Sequence, residues 1–192
     1  MPEHQVPAGG GLTVQELWTL FPDEGGPRHE LIGGEHFVTP TPVTRHQQLV
    51  WRLGFEIESY LRAHPGVGEV FGVPLDVVLS DRDVVEPDLQ LITADQVEIL
   101  TAKNVHGAPA LVVEVLSPST RRRDLGIKRD LFDRAGVREY WIVDGGKNAI
   151  DVYRRSAGGL LLSTRLRADA GEALTTPLLP GFQLRLAALF RR

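Results

Sequence analysis

The chain has 192 residues, enough for one domain with its own core, and its 42% hydrophobic and 24% charged residues are ordinary globular usage. It contains no cysteine, which excludes disulfides, thiolate zinc sites and cysteine nucleophiles. A net charge of −4 speaks against a protein that coats nucleic acid through a basic face, though not against an enzyme that acts on it. The opening residues show no basic start or apolar stretch of a signal peptide, and no apolar run reaches the ~18 residues of a membrane span. A soluble, cytoplasmic protein without membrane contact is expected.

In chain order, residues 1–12 are rich in Gly and Pro and read as a loose segment. Thr13 and Glu16 have capping-box spacing and open a short helix ending near Phe21. Gly33-Gly34, between two short extended runs, predicts a hairpin over residues 28–38. Residues 44–64 read as a long helix, with Thr44 and Gln47 as a second capping box and Leu49, Val50, Leu53, Ile57 and Leu61 at helical spacing. Strands are expected at 67–79, 88–93 and 110–117. A helix follows at 124–135, with Gly136 closing it. Further strands at 139–144, 149–154 and 160–167 are separated by Gly145-Gly146 and Gly158-Gly159, and a short helix is expected within 178–190. This pattern predicts an α/β or α+β fold, a central mixed sheet flanked by helices.

Chemistry shows first where a strand should be wholly apolar. Ala110-Leu-Val-Val-Glu-Val-Leu116 is a buried-strand sequence broken only by Glu114. A lone buried carboxylate costs several kcal/mol even after relaxation, about enough to require a partner or a metal. The alternatives are a solvated face or an arginine pair. Asp88, after Pro87 at a strand mouth, offers a second carboxylate, or is merely a turn residue. Two such carboxylates suit magnesium, which takes one or two carboxylates, keeps waters and binds substrate phosphate. Lys128 shares a helical stripe with Leu131, Phe132 and Ala135, which aims it at the core. There it would orient or deprotonate a water, or offset transition-state charge; the alternative is an i,i+4 pair with Asp124 and a stem snorkelling outward. Arg121, Arg122 and Arg123 are placed to meet phosphate, or are simply solvated. His46, on the apolar stripe of the long helix, reads as a core histidine. Ser117 reads as a loop cap, and Tyr140 and Trp141 as core.

Taken together, Pro87-Asp88, Glu114-Val-Leu-Ser-Pro-Ser119, Asp124, Lys128 and Gly136-Val-Arg-Glu-Tyr-Trp-Ile-Val-Asp144 resemble a restriction endonuclease family of the PD-(D/E)XK superfamily. His29-Glu-Leu-Ile-Gly-Gly-Glu35 and His46 resemble its N-terminal pattern. The resemblance implies a single restriction-endonuclease-like domain over residues 13–192. It also implies DNA as substrate, Mg2+ as cofactor with Mn2+ as a substitute, and a homodimer. It assigns Asp88, Glu114 and the Val115 carbonyl to the metal, and adds Glu30 as a further acidic site residue, the alternative being an exposed hairpin carboxylate. Leu116 stands where the superfamily pattern has its lysine, and the resemblance moves that role to Lys128. Phe132 replaces a frequent tyrosine. A catalytically silent nucleic-acid-binding or assembly protein of the same fold is the alternative.

Overall fold

Thr13 begins the first helix as its spacing predicts. Its hydroxyl accepts the Glu16 N–H at 3.3 Å, and its own N–H donates to Glu16 Oε2 at 2.8 Å. The protein is seen in a computed structural model that describes residues 11–22 and 26–191. The expectation of looseness for residues 1–10 lies outside that range. Leu12, within it, is buried and donates its N–H to the Gly34 carbonyl at 2.8 Å.

The chain runs α1 (Val14–Leu20), β1 (Arg28–Ile32), β2 (Glu35–Thr39), α2 (Thr44–Ala63), β3 (Gly68–Gly72), β4 (Val77–Ser80), β5 (Asp83–Val85) and β6 (Leu89–Thr93). It continues through β7 (Val105–His106), β8 (Leu111–Val115), α3 (Arg121–Leu125), α4 (Ile127–Ala135), β9 (Glu139–Asp144), β10 (Ala149–Ser156) and β11 (Gly159–Arg167). It ends in β12 (Ala173–Leu174), β13 (Leu184–Arg185) and α5 (Leu186–Phe190). The larger sheet has the order β11-β10-β9-β8-β6-β3, and β8–β9 is its parallel pair. The smaller sheet has the order β2-β1-β5-β4-β7. This is the mixed α+β architecture expected, with two large sheets and a two-stranded β12–β13 pair among the described residues where one sheet was foreseen.

The larger sheet buries both faces. Leu89, Leu91, Leu111, Val113, Val115, Trp141 and Val143 pack against the α2 stripe and the C-terminal segment. Ile92, Val112, Tyr140 and Ile142 meet Leu131 and Phe132 of α4 and the inner face of the smaller sheet. α1 covers that sheet's outer face through Val14 and Leu17. The strand expected at 67–79 is two strands in two sheets, because Pro74 has no N–H for a ladder. Thr44 is the first helical residue of α2, one position too far in to cap, and Val43 stands at the cap without a side-chain bond. The helix expected at 124–135 breaks at Gly126, whose φ −116° and ψ −102° leave the helical region. Gly136 closes α4 in the left-handed conformation, as its position predicts.

Candidate active site

Alternation along β8 turns Leu111, Val113 and Val115 toward α2 and leaves Val112 and Glu114 on the opposite face, under α4. Glu114 is therefore inside the protein, 4% exposed. Its Oε1 accepts the Lys128 ammonium at 2.5 Å. Lys128, 2% exposed, also reaches Glu30 Oε1 at 2.7 Å. Alternation on β1 brings Glu30 inward with Arg28 and Ile32, while Leu31 meets α1. Glu30 Oε1 also accepts the Glu86 N–H at 3.0 Å, and Oε2 lies 3.1 Å from Arg123 Nη2.

Asp88, just ahead of β6, is buried beside the same strand end. Its Oδ1 accepts Arg28 Nη1 at 3.1 Å. Its Oδ2 accepts the Val115 N–H at 2.8 Å and faces His46 Nε2 at 3.0 Å. So Asp88, Glu114, Lys128 and Glu30 are brought together, with Val115 linking Asp88 to the Glu114 strand. The i,i+4 alternative for Lys128 does not form: the break at Gly126 rotates α4, and the ammonium turns to Glu30 and Glu114. Arg121 pairs with Asp144 at 2.9 Å, and Arg123 is held by Glu30, Thr39 and the Phe37 ring. Of the three arginines expected near phosphate, Arg122 is the exposed one.

Arg28, His46 and Asp124 also join this cluster, where the sequence reading had left Arg28 unassigned, His46 in the core and Asp124 as an alternative partner of Lys128. Arg28 lies two residues from Glu30, hence on the same strand face. His46 is buried as expected, but its partner is a carboxylate, and its Nδ1 is buried without a hydrogen bond. Asp124, 1% exposed, lines the same small cavity as Glu114 and Lys128. Neither of its carboxylate oxygens makes a hydrogen bond; Thr120 lies near, outside bonding geometry. A second cavity of about 260 Å³ shares Arg28, Thr39 and His46 with the cluster and is also lined by Thr41, Ser117 and Ser119. It offers a route from the surface.

The four carboxylates do not titrate alike. Burial pushes Glu30 up, but Lys128, Arg123 and the Glu86 N–H outweigh it and hold the group below its ordinary value. Burial acts likewise on Asp88, and His46, Arg28 and the Val115 N–H bring it down. Glu114 is pushed well above its ordinary value by burial, with Asp124, Asp88 and Glu30 adding repulsion that Lys128 does not cancel. Burial also raises Asp124. For Lys128, burial favours the neutral amine, yet Glu114, Glu30 and Asp124 hold the ammonium above its ordinary value.

Residues 14–187 match the Uma2 family, described as "Putative restriction endonuclease". The chain belongs to this family. The crystal structure of a "putative nuclease belonging to DUF820" from Anabaena variabilis ATCC 29413 aligns with a TM-score of 0.76. The alignment covers 93% of this chain and 97% of that one at 18% identity, a likeness of fold. No protein of curated function matches the sequence.

This Uma2 chain can be tested for its fit to the divalent cation that its family implies. Among the described residues, no three His, Asp or Glu side chains already converge as a cage. Magnesium does not need one, since one or two carboxylates and several waters suffice. Three fixed cations, Arg28, Arg123 and Lys128, face four buried carboxylates, Glu30, Asp88, Glu114 and Asp124. One of those, Asp124, has two unbonded oxygens, and Glu114 is held toward its neutral form by burial first and by the neighbouring carboxylates second. An all-oxygen donor set short of positive charge fits a hard divalent cation. Among the described residues no helix is long and apolar enough to cross a membrane.

Proposed function

We propose that the protein is a divalent-metal-dependent endonuclease that hydrolyses DNA phosphodiester bonds at the cluster of Glu30, Asp88, Glu114 and Lys128. The observation that carries this reading is the buried Lys128 ammonium within 2.7 Å of both Glu30 and Glu114, on a fold of the restriction endonuclease family. Asp88 and Glu114, with the Val115 carbonyl, would hold Mg2+, or Mn2+ in its place. An ion held there would supply Lewis-acid polarisation of the phosphate and a lowered pKa for a bound water.

Lys128 remains an ammonium among its carboxylates, which favours two of its expected roles, orienting the attacking water and offsetting charge on the phosphorane-like transition state. Deprotonating the water is disfavoured for a group held so firmly protonated. Arg28 and His46 fix Asp88 from two sides, and the Val115 N–H ties it to the Glu114 strand. Glu30 and Arg123 fix the ammonium from the smaller sheet. Substrate phosphate would enter by the cavity bounded by Arg28, Ser117 and Ser119.

A cytoplasmic homodimer belongs to the same proposal. Trp51 and Phe55, 75% and 68% exposed and four residues apart, form an apolar outer face on α2 that supports it. One observation favours the silent alternative: the carboxylates close on Lys128 as a buried ion-pair network would. Incubation of purified protein with plasmid and single-stranded DNA, with and without Mg2+ or Mn2+, separates the readings. Metal-dependent cleavage lost in Asp88→Ala and Glu114→Ala is expected. DNA binding without turnover in either metal would establish the silent reading instead.

A further inference from the structure

We propose that Asp124 supplies a direct ligand to the divalent cation, beside Glu114, so that the site takes a carboxylate from the helix as well as from the strands. The inference rests on the metal-dependent reading above. Its ground is the difference between Asp124 and the other three carboxylates of the cluster. Asp88 accepts from Arg28 and from the Val115 N–H and faces His46. Glu30 accepts from Lys128, Arg123 and the Glu86 N–H. Glu114 accepts from Lys128. Asp124, the most deeply buried beside Asp88, has neither oxygen bonded, yet lines the cavity that holds the other three.

A buried carboxylate with no partner is unfavourable, and buried polar atoms almost always find one. The local geometry explains why the ordinary partner is missing. On a continuous helix Lys128 would sit four residues on and pair with Asp124. Gly126 ends α3 and starts α4, so the ammonium is handed to Glu30 and Glu114 instead. Arg123, the preceding residue, is likewise committed to Glu30 and Thr39. The α3–α4 break thus delivers a lysine to one side of the cavity and a carboxylate without a hydrogen bond to the other. Oxygen donors with open lone pairs, beside a second carboxylate, are what a hard cation with a partial water shell recruits.

The test is Mn2+ binding to the full-length protein, read by the loss of the free-ion electron paramagnetic resonance signal. Wild type, Glu114→Gln, Asp124→Asn and Asp124→Ser are compared, each checked for folding by circular dichroism. Loss of affinity of about tenfold or more in both Asp124 variants, as large as expected for a lost ligand, supports the proposal. Their metal-free melting temperatures should equal or exceed that of wild type, since no bond is lost and a buried charge is removed. Wild-type affinity in either folded Asp124 variant overturns it, while loss in Glu114→Gln leaves the metal reading intact. No Mn2+ binding by wild type overturns both.

Discussion

Lys128 is the residue on which the site's charge balance turns. Among the described residues it is the one cation paired with both Glu30 and Glu114. Lys128→Met keeps the stem volume and removes the charge. Breaking a buried ion pair from one side typically costs about 3–5 kcal/mol, and a loss of this size is expected near pH 8. The sign with pH follows from burial. Without the ammonium, Glu114, already raised by burial, loses the one cation that opposes the rise, and Glu30 loses the largest of the groups that hold it low, so the folded state moves toward the protonated forms. The variant is then most stable below the unfolded carboxylate pKa and loses stability as pH rises through the raised folded values. In wild type, Glu30 is held low, and its contribution is present above the unfolded value and lost only as pH falls through the folded one. Denaturant titrations at pH 5 and pH 8 should show the gap between variant and wild type widening with pH. A constant gap would mean that packing, and not charge, dominates at this position.

At the scale of elements, the α3–α4 break is the device that aims the lysine. A Cβ on Gly126 would sit 3.0 Å from the Arg122 carbonyl oxygen, so Gly126→Ala must shift the junction. Joining the two helices would draw Lys128 back toward Asp124. Rate is steeply sensitive to the placement of reacting groups, and a shift of a few tenths of an ångström at Lys128 is expected to lower metal-dependent cleavage about tenfold. The melting temperature should change by only a few degrees, as for a cost of about 1 kcal/mol.

The break also marks where sequence reading reached its limit. Periodicity found the core stripe of α2, the strands that carry Glu114 and Tyr140, and the buried face of Lys128, because burial leaves a pattern within each element. Glu114 was legible as a charge in an apolar run, and Glu30 and Asp88 came from the family pattern. Whether helix or junction surrounds Gly126 was not legible, since a single glycine fits both. Nor was the partnership of His46 with Asp88, which is settled between elements 42 residues apart and leaves no local trace. The minimal strands β5, β7, β12 and β13, of three and two residues, are too short to show a period.

For the whole molecule, the proposed homodimer has a physical handle in α2. Trp51 and Phe55 lie on the solvent side of α2, opposite the stripe that binds the larger sheet. Replacing them with Trp51→Glu and Phe55→Lys leaves that stripe untouched. If α2 carries the homodimer contact, the double variant should elute as a monomer with little change in melting temperature. Light scattering coupled to size exclusion at micromolar concentration decides it. A dimer mass in the double variant would move the contact elsewhere, and a monomeric wild type would end the homodimer proposal.

The charged centre is gathered from β1, α2, the entry to β6, β8, α3 and α4, and its last member is Lys128. During synthesis the carboxylates leave the ribosome before the ammonium that joins them. A chain that stops at Leu125 carries Glu30, Asp88, Glu114 and Asp124 with no lysine to close them, and lacks β9, the parallel neighbour that seats β8. Prematurely terminated products would therefore lack the closed centre, which needs α4 and β9 to be in place.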